Sequence, residues 1–169
     1  MVVEIGKSPN ADSRTAQGKV SFEDFQKATD MHRNDVKRVL YELARRLREI
    51  GDNHDYTKKT EEEKYYDDYI EAKKNGKDSH DTEWHKEHVR TERHHVNDYT
   101  HDDVNLLDIL EMICDHCCDE LVENGKIGKM EIDSDTLMKA FNNTVELIKS
   151  FIRLDENKSD YDMAIEDEI

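Results

Sequence analysis

Nine histidines occur in this 169-residue chain, and several stand beside carboxylates at spacings that suit metal chemistry. His88 and His95 lie two helical turns apart with Glu92 between them, so on a continuous helix both imidazoles would face one ion or its neighbouring waters. Glu111 and Asp115, four positions apart, place their carboxylates on one side of another helix, where such a pair ligates a metal or orients a water. The dyad His54-Asp55 offers one nitrogen and one oxygen, and its carboxylate can also bridge two ions or take a proton from water. His32 shares a helical stripe with Phe25, Ala28, Val36 and Val39, a place where packing alone would select leucine or isoleucine.

Each residue has a plainer reading: a core histidine satisfied by one hydrogen bond, a polar helix interface, an acidic edge, a turn aspartate. Those readings are hard to hold for all seven residues, which come from four separate segments. The expected ligands are therefore His32, His54, Asp55, His88, His95 and Asp115, with Glu111 as a proton acceptor. Imidazoles mixed with hard oxygens suit manganese, iron, nickel, cobalt or zinc better than calcium.

The elements that must position these groups read as helices throughout. Ser21 caps a first helix whose apolar residues, from Phe25 to Leu43, Leu47 and Ile50, recur at three- and four-residue steps, with Gly51 as its stop. A charged helix over residues 59–74 closes at Asn75-Gly76. A third over 81–96 puts Trp84, His85, His88, Glu92 and His95 on one face and Arg93 and His94 on the other. A fourth covers 102–123, and a last helix, capped by Ser134 or Asp135, presents Leu137, Phe141, Val145, Ile148 and Ile152 to the core. This pattern predicts an all-α bundle of about five helices, with a flexible arm at residues 1–20, a metal-binding domain at 21–154 and an acidic tail at 155–169.

Composition narrows the function. With 39% charged and 35% hydrophobic residues the core must be lean, and one domain suffices at this length. A net charge of −16 argues against broad binding to nucleic acid and leaves room for cations or basic partners. No apolar run approaches a bilayer span, no signal peptide is legible, and Cys114, Cys117 and Cys118 are too close together for a secreted disulfide framework, so a cytoplasmic location is expected. With His116 these thiols resemble a zinc clip, but no second cysteine pair completes four ligands, and they read as small core residues.

The order histidine, His-Asp, later aspartate resembles the HD-domain metal-dependent phosphohydrolases, which implies an HD-like helical fold with His32, His54, Asp55 and Asp115 as ligands. A fuller pattern, His32, then His54-Asp55-Tyr56-Thr57-Lys58, Trp84 to His88, His94-His95 and Glu111-Met112-Ile113-Cys114-Asp115, resembles a family of small phage and bacterial proteins of unknown function. That resemblance covers about residues 30 to 120 and implies a phage-related origin, with a host cytoplasm as location. It also draws in Lys58, since a lysine beside a metal centre can hold a substrate phosphate.

The expected function is metal-dependent hydrolysis of a nucleotide or other small phosphate ester. Lys58 would neutralise phosphate charge, and His94 or His85, not ligating metal, would protonate the leaving group. The alternative is a noncatalytic phage-type binding or inhibitor protein that engages a host protein through its acidic surface, with a structural ion in the histidine cluster.

Overall fold

A computed structural model describes residues 1–6 and 20–155. The described chain is all-α apart from one small ribbon. In order it runs β1 (Val3–Gly6), α1 (Phe22–Asn53), α2 (Tyr56–Thr60), α3 (Glu62–Lys74), a 3₁₀ turn (Ser79–Asp81), α4 (Glu83–Thr91), α5 (Leu106–Asn124), α6 (Ser134–Phe151) and β2 (Ile152–Asp155). It divides into two compact units, one of Met1–Arg46 with Leu147–Ile169, the other of Leu47–Glu146.

In the first unit, β1 and β2 pair in parallel with Val3 opposite Ile152 and Ile5 opposite Leu154. The arm expected over residues 1–20 thus begins as a strand. Residues 7–19, and the tail beyond Asp155, lie outside the described residues. Ser21 caps α1 as expected, its hydroxyl oxygen accepting the Asp24 amide at 3.1 Å. The apolar stripe of this helix does not form a core, however: Ala28 is buried, but Phe25 and Val36 are 43% and 44% exposed. Glu42 is the buried acid of α1, held by Arg45 at 2.7 Å and Arg46 at 3.0 Å.

The second unit carries the chemistry. Its core is Val96, Val104, Ile109, Met112 and Ala140, with Leu106, Met130 and Ile132 packed against it. α5 starts on a full capping box, in which the Asn105 side chain and the Asp108 carboxylate satisfy orphan amides at the helix start, and it ends on Gly125 in the left-handed region at φ 67°. α6 buries a different face from the one its large residues suggest. Ala140 and Thr144 are buried, while Leu137, Phe141 and Val145 are 41%, 54% and 39% exposed. The small side chains admit close backbone contact: Thr144 accepts the Leu106 amide at 2.8 Å, and Asn143 donates to the Val104 carbonyl at 2.8 Å.

Two helix ends depart from the local pattern and both matter for the site. α1 runs through Gly51 to Asn53, and the chain reverses at Asp55, whose φ of 55° makes it the one non-glycine residue with positive φ among the described residues. A left-handed backbone at a non-glycine costs about 1–2 kcal/mol, so something must hold Asp55 there. The helix expected over 81–96 stops at Thr91, because Glu92 is extended at φ −82° and ψ 122°. The following turn is pinned from a distance: Arg93 makes a two-pronged ion pair with buried Asp108, at 2.9 and 2.8 Å, and reaches Asp103 at 3.0 Å. The cysteines are not core either, for Cys114 and Cys118 are exposed and Cys117 is half-buried.

Candidate metal centre

The reversal at Asp55, the end of α4 and the middle of α5 meet in the second unit. Asp55, His88, His94 and His95 each turn one ligand atom inward so that all four atoms lie within 4.8 Å of one another, and His54, His94 and Asp115 form a second such group. In the first group His88 Nε2 is 3.3 Å from Asp55 Oδ1, His94 Nε2 is 3.7 Å from the same oxygen, and His95 Nε2 is 2.9 Å from His88 Nε2. Neighbouring donors around a tetrahedral ion with bonds of about 2.1 Å stand roughly 3.4 Å apart, so the spacings bracket what such an ion needs.

The test of fit is hydrogen bonding. Asp55 Oδ1 and both ring nitrogens of His94 are buried without a hydrogen-bond partner. The His94 side chain is 1% exposed, so bulk water does not satisfy it. Each orphaned buried group costs about 1–3 kcal/mol, and native proteins leave few of them. A divalent cation among the four donors would satisfy the carboxylate oxygen and one His94 nitrogen together.

His88 is held ready to ligate. A hydroxyl has one proton, and that of Thr57 goes to Glu92 Oε1 at 2.6 Å, so Thr57 Oγ1 accepts from His88 Nδ1, also at 2.6 Å. The Thr57 amide donates to the same Glu92 oxygen at 2.7 Å. This relay places the His88 proton on Nδ1 and leaves the Nε2 lone pair facing Asp55 and His95, the arrangement metal-binding imidazoles use. Stacking of Trp84 on the ring at 5.0 Å, itself backed by Tyr65 at 4.2 Å, fixes the ring plane. Burial drives the His88 pKa down to about 3, with His95, Lys58 and His94 adding to the effect against the opposing charge of Asp55. The ring is therefore neutral at neutral pH. Burial likewise lowers the His95 pKa, helped by His94.

The open side of the centre is charged. Lys58 donates to Asp55 Oδ2 at 2.5 Å. Burial alone would raise the Asp55 pKa, but the bond and charge of Lys58 outweigh it and lower it, while Asp55 in turn raises that of Lys58 against burial. The same contact spans the turn that Asp55 begins, and so helps hold its left-handed backbone. His54 Nδ1 donates to Glu111 Oε1 at 2.9 Å, and its Nε2 lies 3.2 Å from Asp115. Burial disfavours the His54 imidazolium, yet the Glu111 bond and the charges of Asp55 and Asp115 prevail and raise its pKa. Burial opposes the Glu111 carboxylate in the same way, and the His94 ring, whose Nδ1 lies 3.4 Å from Glu111 Oε1, and the bond to His54 lower its pKa despite that.

Among the residues singled out in the sequence, the fold brings together His54, Asp55, Lys58, His88, His94, His95, Glu111 and Asp115. His32 is in neither group. It is exposed on α1, because the stripe that made it look inward, with Phe25 and Val36, itself faces solvent. His94, placed on the outer face of a continuous helix, instead belongs to both groups, since the helix ends at Thr91 and the turn rotates it inward. Thr57 and Glu92 carry the relay to His88; their signal was present in the run His54-Asp55-Tyr56-Thr57-Lys58, but the pairing spans 35 residues. His85 stands at the margin, its ring 6.0 Å from His88 and 6.3 Å from His95.

A family model described as "Family of unknown function (DUF5662)" matches residues 21–153. The chain belongs to this family. The matched span of DUF5662 contains every residue of both donor groups and the relay that supports them. No curated protein matches the chain. No solved structure matches it. No helix among the described residues is long and apolar enough to cross a membrane.

Proposed function

We propose that the protein is a metal-dependent phosphohydrolase acting on a small phosphate ester, with nucleotides among the candidate substrates. The observation that carries this reading is the buried, unpartnered pair of Asp55 Oδ1 and His94 within a converging donor set that has a lysine ammonium at its open edge. Asp55, His88, His94 and His95 would hold the ion. A divalent cation there supplies Lewis acidity, lowering the pKa of water and polarising a phosphoryl oxygen. Its identity is open among manganese, iron, nickel, cobalt and zinc.

The chain's own residues account for the rest of the reaction. Lys58, 40% exposed in its side chain, neutralises the phosphate as it enters. Asp115 or Glu111 takes a proton from the attacking water as its oxygen bonds to phosphorus. The ester P–O bond breaks, and the imidazolium of His54 gives its proton to the leaving alcohol oxygen. The products are inorganic phosphate and the alcohol. The reading exchanges two roles: His94 joins the ligands, and His54, expected as a ligand, serves as the acid. The reading retains the His-Asp dyad and the later aspartate of the HD pattern and dispenses with His32.

Structural ion sites are closed, whereas here His54, Lys58 and Asp115 are 31%, 40% and 26% exposed along one side. That openness favours catalysis over a purely structural ion. The alternative, a noncatalytic binding protein engaging a basic host protein, draws on the net charge of −16. Elemental analysis of the purified protein, then a phosphatase screen with manganese, magnesium, nickel or cobalt, tests the proposal. Asp55→Ala and His95→Ala should abolish turnover with the helical fold retained. Absence of copurifying metal, together with a melting temperature indifferent to chelator, refutes metal binding. Partner binding that survives both substitutions, without turnover in the parent, supports the alternative.

A further inference from the structure

A cleft of about 340 Å³, open to solvent along one side, lies beside the candidate centre. Its walls come from the end of α1, through Leu47, Ile50 and Gly51, and from α5, through Leu110, Cys114 and Cys118. None of these six residues has a charged, amide or hydroxyl side chain, and the thiols are weak hydrogen-bonding groups. At one end the lining changes character to His54, Glu111 and Asp115. Two of these, His54 and Asp115, belong to the donor group with His94, so the apolar space and the charged site share a wall. The cavity is at the small end of the range that small-molecule sites occupy.

We infer that this cavity receives the leaving group of the substrate, and that the substrate is a phosphate monoester of an apolar aryl or alkyl alcohol. The inference rests on the phosphohydrolase reading and sharpens it. With the phosphate at Lys58 and the ester oxygen near His54, the group beyond that oxygen enters a space walled by leucine, isoleucine and cysteine. A single ring or short chain loses water there and leaves no polar group unsatisfied. A nucleoside fits this wall less well, because its ribose hydroxyls and base edges would give up hydrogen bonds to water without partners among the six residues. His54 both lines the cavity and belongs to the donor group with His94 and Asp115, so the proposed acid stands where the two meet.

Gly51 makes the idea testable without enlarging the cavity. It is helical, its φ is not in the left-handed region, and a Cβ built on it meets nothing within 4 Å, so Gly51→Phe adds a large side chain at the cavity wall without displacing backbone. The experiment is calorimetric binding of two non-hydrolysable probes, phenylphosphonate and methylphosphonate, to the full chain loaded with manganese or zinc, beside metal uptake measured by elemental analysis. The expected result is a preference of at least tenfold for phenylphosphonate, falling to within about twofold in Gly51→Phe, with metal uptake unchanged. If methylphosphonate binds the metal-loaded chain but the phenyl group adds nothing, or the preference survives Gly51→Phe, the apolar leaving-group pocket is refuted and the phosphohydrolase reading stands. If the chain takes up no metal and binds neither probe, the reading beneath the inference is refuted and the inference goes with it.

Discussion

Replacing Thr57 with valine should weaken divalent-metal binding by about 10- to 100-fold, although Thr57 is not itself a donor to the ion. The side chains are of similar shape, so the change deletes one hydroxyl and little volume. That hydroxyl accepts from His88 Nδ1 and donates to Glu92, each at 2.6 Å. Its loss leaves the His88 N–H without a partner in a side chain only 1% exposed, where water does not replace it, and leaves Glu92 with the Thr57 amide at 2.7 Å. An orphaned buried donor costs about 1–3 kcal/mol, and the ring can escape it by changing tautomer or rotating, either of which turns the Nε2 lone pair away from Asp55. The metal-free chain should therefore lose about 1–3 kcal/mol of stability, and the affinity loss should exceed anything a uniform loosening would give. Competition against a chelator of known affinity measures the metal term, and urea unfolding of the metal-free chain measures the other. Thr57→Ser, which keeps the hydroxyl, should restore most of the affinity. An affinity in Thr57→Val within twofold of the parent, with the stability loss present, would show that the relay does not orient His88 toward an ion.

Three further outcomes follow from the same geometry. Arg93→Ala removes the cation from Asp108, whose side chain is 3% exposed; the uncompensated buried charge should cost about 3 kcal/mol in urea unfolding, and metal affinity should drop as the turn bearing His94 and His95 loosens. A loss below about 1 kcal/mol would deny the pair that anchoring role. Lys58→Met should raise KM for a phosphate ester roughly 10- to 100-fold, in line with one hydrogen bond to a charged group, while metal stoichiometry stays the same; an unchanged KM removes Lys58 from phosphate binding. Acid should destabilise the metal-free chain in two windows. His88 binds its proton only near pH 3 when folded but near 6.5 when unfolded, so stability falls as pH drops through that range, and His88→Gln should flatten the slope. Glu42, held by Arg45 and lowered from 4.5 to about 2 despite burial, adds stability above pH 4.5 that is lost as pH falls toward 2, and Glu42→Gln should remove only that lower limb, as melting temperatures across the pH range will show.

Much of the architecture was legible because helix caps and helix periodicity are local. Ser21 at the start of α1, the Asn75-Gly76 stop after α3, and the close of α5 at Gly125 follow from side chains within a few positions of the helix end. So did the shared side of Glu111 and Asp115, which needs only 3.6 residues per turn. Periodicity was a poor guide to burial: Leu137, Phe141 and Val145 of α6 are exposed, and small Ala140 and Thr144 form the face that admits the start of α5. It could not foresee the strand at Val3–Gly6 either, since its partner begins at Ile152.

By itself, the sequence determined that the chain is helical and acidic, and that imidazoles and carboxylates recur at spacings suited to a metal. Tertiary structure decided which of them meet. A helix would have carried His95 inward and His94 outward, but Arg93 finds Asp108 fifteen residues away, the helix ends at Thr91, and both rings turn toward Asp55. Thr57 becomes part of the site only because Glu92 and His88, more than thirty residues on, fold against it. The physical reason is one of range: backbone geometry propagates a face over a few turns, whereas the end of a helix, the burial of a stripe and the convergence of donors depend on contacts between segments that local sequence does not encode.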